Sequence, residues 1–582
     1  MITSAAIRVQ DPPRATDRAH WPGQQFQRLG IQADDYRRRT LTAGFVLAAL
    51  LLVVILAGCG GSRASGSHSA ARSTTGRRPA APDSFSTGPF RWLVQTQGPQ
   101  PSVALENRHT GTRAWRLPGP AADVGGLAHG DVAGYVADQA VSSGQVERIY
   151  VSAPGSSTIR IRVFRIGWYG GSGGREVLAS GDLPAVIQPP CTHRYATGLT
   201  ECDWHPTLSF VIPPALPTGI YVARLSALTG ESDCLFVVRA STPQPLIAQL
   251  PTSTYEAYNA WGGDSLYPGG ADRVAITGTT QGIDVSYDRP YDSVTGAGQF
   301  FARDVAMVWF LEQYGYPLSY TTSESVDQDP GQLLGHRAVI DFGHSEYWSQ
   351  RQADAFARAR DHGESLLFLG SDTLAWRVRY APASAAASEA GQPDHSIVSY
   401  KEHAALDPDH ANPTGPFPGG GAALTGSAYL GCITPRVDVL GPPIYRYYSW
   451  APAPALQPGW LFAGTGITAA TRIPGIVGYE LDMRTSSTPA GTRVLGSGAA
   501  PCMPSEPGEP TPGPGQDLAQ TTVYTAPSGA IVFNTGTLGW ELGLEPVPSA
   551  SPDAPTAPDR RVVAMTRNLL DHVLGLPPRR AG

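Results

Sequence analysis

Along residues 159–163 apolar and charged side chains alternate, with Ile159, Ile161 and Val163 on one parity and Arg160 and Arg162 on the other. A period of two is that of a strand with one face buried and the other in water. Tyr221, Ala223 and Leu225 repeat the alternation after the turn residues Pro217-Thr218-Gly219. Short strands, Gly/Pro turns and no convincing helix predict an immunoglobulin-like β-sandwich over residues 89–241.

After Ser241-Thr242-Pro243 the period changes. Leu246 to Leu250 is a short apolar run; Phe301, Val305, Val308 and Trp309 then mark one face of a helix that stops near Gly315. Leu318 to Thr321, Ala338 to Phe342 and Leu366 to Leu369 read as strands. Ser349 with Gln352 has capping-box spacing, and Gly363 ends the helix it opens. Alternating strands and helices over residues 242–582 predict an α/β domain, with a mostly parallel sheet and helices on both faces. In such sheets ligands gather beyond the carboxyl ends of the strands. That rule selects Thr252 to Tyr267, Gly343 to Trp348 and Gly370 to Thr373. Pro501 to Gly515 is a Pro/Gly-rich loop, and an amphipathic helix near Asp559 to Leu574 closes the domain.

The N-terminus adds a location. Leu41 to Ala57 is a 17-residue apolar run, just short of the roughly 20 that span a bilayer core. Arg37-Arg38-Arg39 before it orients the C-terminal side outward. Leu56-Ala57-Gly58-Cys59 resembles a bacterial lipobox, which makes Cys59 a lipidation site, residues 1–58 a signal segment and residues 59–88 a disordered tether. An uncleaved signal-anchor helix is the other reading, so the membrane is met through a lipid or a helix. Arg38-Arg39-Thr40-Leu41 is a partial twin-arginine signal. The expected protein is exported, membrane-anchored and largely extracytoplasmic, where disulfides persist. Cys191/Cys202 and Cys432/Cys502 are candidate pairs, and Cys234 is a candidate buried thiol. A formal charge of -6 with no basic patch argues against nucleic-acid binding. The partner expected instead is a small molecule, and a homo-oligomer stays open.

Thr252 to Gly263 is dense in aromatic and amide side chains, consistent with a packed loop or a ligand wall. Gly343-His344-Ser345-Glu346-Tyr347-Trp348 sets a base, a hydroxyl and a carboxylate at a strand end. In extended backbone His344 and Glu346 face one side. Alternatively, Glu346 only balances the positive end of the following helix.

The stretches Tyr258-Asn259-Ala260-Trp261-Gly262-Gly263, Arg289-Pro290-Tyr291-Asp292, Gly343 to Trp348 and Gly370-Ser371-Asp372-Thr373 resemble the N,N-dimethylformamidase large-subunit family. Arg165-Ile166-Gly167-Trp168-Tyr169-Gly170-Gly171 is similar to the segment ahead of that domain. The resemblance implies an amidohydrolase acting on a small amide, with one iron, as Fe3+, bound by two tyrosines and a glutamate in a glutamine-amidotransferase-like α/β domain. Carried over by motif, the metal ligands are Tyr258, Tyr291 and Glu346, with Tyr255 competing for the first position and Tyr287 for the second. The catalytic residues are His344, Asp372 and Lys401. Asp372 departs from the family's asparagine, and an ionised carboxylate cannot donate a hydrogen bond to an oxyanion.

Phenolate and carboxylate are hard donors suited to ferric iron, and three protein ligands leave positions open for water and substrate. Hydrolysis of an amide or related C–N bond is the expected activity. Two other readings compete: a non-catalytic envelope lipoprotein whose aromatic cleft binds a wall component, and a serine hydrolase with Ser345 at a strand-to-helix elbow, where Tyr347 replaces the second glycine of the usual pattern.

Overall fold

The computed structural model describes residues 88–118, 124–269, 273–437, 444–504, 518–547 and 551–577. The apolar run, the lipobox with Cys59 and nearly all of the tether lie outside the described residues, as does most of the Pro501 to Gly515 loop. Among the described residues no helix is long and apolar enough to cross a membrane.

The alternating segments form strands, Thr158–Ile166 and Gly219–Ala227, paired antiparallel with Ile161 opposite Leu225 and Phe164 opposite Val222. They sit in a sheet with Gly174–Ser180 and Gly230–Val238, which a smaller sheet of Ala133–Val136, Val146–Ser152 and Pro206–Val211 faces. Ile159, Ile161, Val163, Tyr221, Ala223 and Leu225 fill the space between the sheets with Ile149, Leu208 and Phe210. The other face of the larger sheet differs from the expected wet surface. Arg160 is exposed, but Phe164, Ile166, Ile220 and Val222 are buried against Leu246 and Ala248 of the next segment. Two apolar faces on one strand turn alternation into a continuous apolar run, a run that shows no period. One short helix, Val103–Glu106, also stands ahead of these strands; four residues are too few to show helical periodicity.

In the second part, Leu318–Thr322, Leu246–Leu250, Ala338–His344, Ser365–Ser371 and Ile531–Asn534 lie side by side in that order, all parallel. Beyond Ile531–Asn534 the sheet continues antiparallel through Leu518–Thr525, Arg493–Ala499, Tyr448–Pro452 and Ile473–Val477. The expected mostly parallel sheet is therefore mixed. The antiparallel half is rich in Gly, Ser and Thr, and its strands lack the apolar runs that mark the parallel ones.

Helices cover both faces of the parallel half. Val339, Leu366 and Phe368 pack against Phe356 and Ala359 of the helix Gln350–His362. Ile340, Phe342 and Leu367 pack on the other side with Val308 and Leu311 of Val305–Gln313 and Leu569 of Arg560–Val573. Ser349 and Gln352 form the capping box read from their spacing, and Gly363 ends that helix in the left-handed region.

A buried ion pair joins the two parts. Arg165 donates through both Nη atoms to Glu312, at 2.8 and 2.9 Å, with both side chains fully buried. Cys191–Cys202 and Cys432–Cys502 are disulfides, and Cys234 is a buried free thiol. The first disulfide closes a hairpin, Thr192–Arg194 with Leu199–Glu201, stitched to the segment that follows the aromatic stretch. Ala275 N–H donates to Tyr195 O, Ile283 N–H to Thr197 O and Cys202 N–H to Asp288 O.

Candidate functional site

Three chain segments meet beyond the carboxyl ends of adjacent parallel strands. Leu246–Leu250 leads into the short helix Thr252–Ala257 and then Tyr258, Ala338–His344 leads into Glu346, and Ser365–Ser371 leads into Asp372. Glycine makes the approach possible. At Gly343, with φ of 69°, a Cβ would stand 1.7 Å from Asp304 Oδ1; at Gly370 it would stand 2.0 Å from Gly343 O. A side chain at Gly370 would push the two strand ends apart, and one at Gly343 would displace Asp304.

Glu346 lies at the centre and is buried. Its N–H and that of Tyr347 both donate to Thr254 Oγ1, at 3.0 and 3.2 Å, which fixes the turn. Tyr258 donates to Glu346 Oε2 at 2.9 Å, and the Tyr267 hydroxyl lies 2.7 Å from Glu346 Oε1 and 2.8 Å from the Tyr258 hydroxyl. The two rings stack with centroids 4.3 Å apart. His344 adjoins this trio. Its Nδ1 is 3.2 Å from Gln299 Oε1, which orients the ring. Its Nε2 is 3.4 Å from Glu346 Oε2, 3.3 Å from Glu480 Oε2 and 3.8 Å from Asp372 Oδ2. Asp372 has φ of 52°, a left-handed turn that aspartate tolerates better than most residues, and its N–H donates to Asp482 Oδ1 at 2.8 Å. Lys401 Nζ sits 3.5 Å from the Tyr267 ring centroid and 4.9 Å from that of Trp376.

The sequence-derived residues Tyr258, His344, Glu346, Asp372 and Lys401 thus share one site. Among the described residues no hydrogen bond ties Tyr291 to them: its hydroxyl is buried without a hydrogen-bond partner, in the field of Glu256, Glu324 and Arg289. Tyr255 is hydrogen-bonded to Asp304, and Tyr287, though in the same apolar cluster as Tyr267, has its phenol in the field of Tyr380 and Glu324. The tyrosine beside Tyr258 and Glu346 is Tyr267. It ends the aromatic stretch selected by the strand-end rule, so a signal for it existed. Glu480 gave none, because it arrives on a strand, Glu480–Met483, from outside the parallel half. Ser345 donates to Asp341 Oδ1 at 2.9 Å and accepts from the Trp348 indole at 3.0 Å, so its hydroxyl serves the core and not the site.

Three carboxylates surround one imidazole here, with a single lysine close by, and all are buried. Burial pushes the Tyr258 phenol well above its usual range, and Glu346 and Glu480 push it further. Such a set favours a positive guest. His344, Asp372 and Glu480 each offer a ligand atom within 4.8 Å of the others, a grouping that could hold a metal ion. The phenols and Glu346 add hard oxygen donors at hydrogen-bonding separations, so the donor set fits a hard cation.

Residues 160–554 match the family model described as N,N-dimethylformamidase beta subunit-like, C-terminal. No curated protein matches the chain.

Proposed function

The chain belongs to the N,N-dimethylformamidase beta subunit-like family, and from that premise we propose that it is a hydrolase of an amide or related C–N bond that uses one iron ion. The observation that supports this most is the convergence of Tyr258, Tyr267 and Glu346, whose oxygens stand 2.7 to 2.9 Å apart. These three residues would hold the metal, with Tyr267 in the place that motif comparison gave to Tyr291. Bound there, iron would supply Lewis acidity to an amide carbonyl and lower the pKa of water.

The chain's own residues do the rest. His344, oriented by Gln299, presents Nε2 to the same space and can take a proton from water and return it to the departing nitrogen. Glu480 and Asp372 flank His344 Nε2, at 3.3 and 3.8 Å, and offset the charge His344 gains. Asp372 in its ionised form cannot donate to an oxyanion, which leaves Lys401 as the cation placed to offset developing negative charge. We read residues 89–241 and 242–582 as an immunoglobulin-like sandwich and a glutamine-amidotransferase-like domain. The protein is held to the envelope through Cys59, a reading that the apolar run before it and the two disulfides support.

Purified full-length protein is expected to contain close to one iron per chain and to show a visible tyrosinate-to-iron absorption band. Iron well below stoichiometric, with no band after reconstitution, would sink this reading. Mass spectrometry of the mature N-terminus tests the anchor, with a lipidated Cys59 as the expected result.

A further inference from the structure

Nine positions separate Tyr258 from Tyr267, yet their hydroxyls lie 2.8 Å apart and their rings stack. The intervening chain must therefore fold back tightly. Leu266 N–H closes it on Ala257 O at 2.9 Å. Its bend is held from inside by one side chain, Arg289, which is fully buried. Arg289 Nη2 donates to Asn259 O at 2.7 Å, and Nη1 donates to Trp261 O and Asp264 O, each at 3.2 Å. Nε donates to Glu256 Oε1 at 3.0 Å. One planar fork thus gathers three carbonyls of the loop and the carboxylate of the helix that precedes it.

Asn259 locks the same bend from its own side. Its Nδ2 donates to Pro290 O at 3.0 Å and to Glu256, while its Oδ1 accepts from Trp261 N–H and Asp292 N–H, each at 3.1 Å.

We propose that Arg289 is a positioning residue that sets the separation of the Tyr258 and Tyr267 hydroxyls. It does so by holding the Asn259 to Asp264 bend; this rests on the reading that those two tyrosines are metal ligands. A guanidinium is needed because its donors diverge in one plane toward three carbonyls, and a lysine ammonium delivers its three protons from a single point. A residue that served only as the counter-charge to Glu256 would be replaced by lysine without consequence for the tyrosines.

The test compares full-length wild type with Arg289→Lys, and with the double change Glu256→Gln and Arg289→Gln. The double change removes both buried charges and keeps a folded chain available for measurement if lysine alone does not fold. Two quantities are read: hydrogen exchange of the amides from 259 to 267 in metal-free protein, and the energy and intensity of the tyrosinate-to-iron band after loading. The expected result is exchange at least ten-fold faster over that stretch in both variants, with a shifted or weakened band and unchanged protection in the parallel strands. Exchange in a folded variant equal to wild type overturns the inference, whether or not iron binds. A wild-type protein that takes up no iron overturns the proposed function and leaves the exchange comparison to decide the role of Arg289.

Discussion

Replacing Tyr267 by phenylalanine and, separately, Tyr291 by phenylalanine distinguishes the ligand set the structure assembles from the one the motifs suggested. The Tyr267 hydroxyl has two close partners, Glu346 Oε1 at 2.7 Å and the Tyr258 hydroxyl at 2.8 Å. Removing it withdraws one charge-assisted and one neutral hydrogen bond and leaves buried partners behind, a loss of about 2–4 kcal/mol in metal-free protein. The Tyr291 hydroxyl is buried without a hydrogen-bond partner among the described residues. Deleting it removes a polar atom that gains nothing from its surroundings, so stability is expected to stay level or rise by ~1 kcal/mol. The two changes also diverge in metal binding. Loss of a supporting contact typically weakens a site about 10–100-fold, so loss of a ligand at Tyr267 is expected to exceed about 100-fold, while Tyr291→Phe retains iron and the visible band. Denaturant titration gives the first pair of values, and metal analysis with absorption spectroscopy gives the second. Full iron and an intact band in Tyr267→Phe, with both lost in Tyr291→Phe, would refute the argument.

Ser345→Ala is expected to keep turnover within a few-fold and to cost about 1 kcal/mol through the lost bond to Asp341; covalent labelling of Ser345 by a fluorophosphonate, or abolished turnover, would restore the serine-hydrolase reading. Burial pushes the Asp341 carboxyl up to about 8, against the donors Ser345 and Gln249. The folded chain therefore keeps a proton there that the unfolded chain releases near its ordinary pKa of about 4. The stability this contributes is present below pH ~4 and is lost as pH rises toward 8, at up to ~1.4 kcal/mol per unit. Asp341→Asn is expected to flatten that part of the stability profile in denaturant melts taken across the range, and an unchanged slope would count against it.

Much of this was legible in the chain. Leu246–Leu250 falls on the residues its apolar run marks, and the Ser349 cap and the Gly363 stop are local chemistry that packing did not override. The strand-end rule found the site because strand ends are where a parallel sheet leaves side chains free to converge. That the motifs did not single out Tyr267 has a different reason. Linear motifs rank residues by their neighbours in sequence, whereas Tyr267 is selected by a bend held by Arg289, 25 positions beyond Asp264 at the end of that bend. Glu480 was invisible because its strand carries no alternation that separates it from other half-buried segments. The second buried face of Gly219–Ala227 was hidden likewise, since it depends on a contact with Leu246 and Ala248 that no local pattern encodes.

The hairpin closed by Cys191 and Cys202 gives the site a history as well as a shape. It precedes Tyr267 in the chain, and its hydrogen bonds to residues 275, 276 and 283 brace the segment just after that tyrosine. Oxidation of the pair removes about 3 kcal/mol of disorder from the unfolded hairpin, which favours the conformation on which the later segment docks. A chain with these thiols reduced would hold every candidate ligand and lack this covalent closure. The state of one thiol pair therefore bears on how firmly the segment after Tyr267 is held.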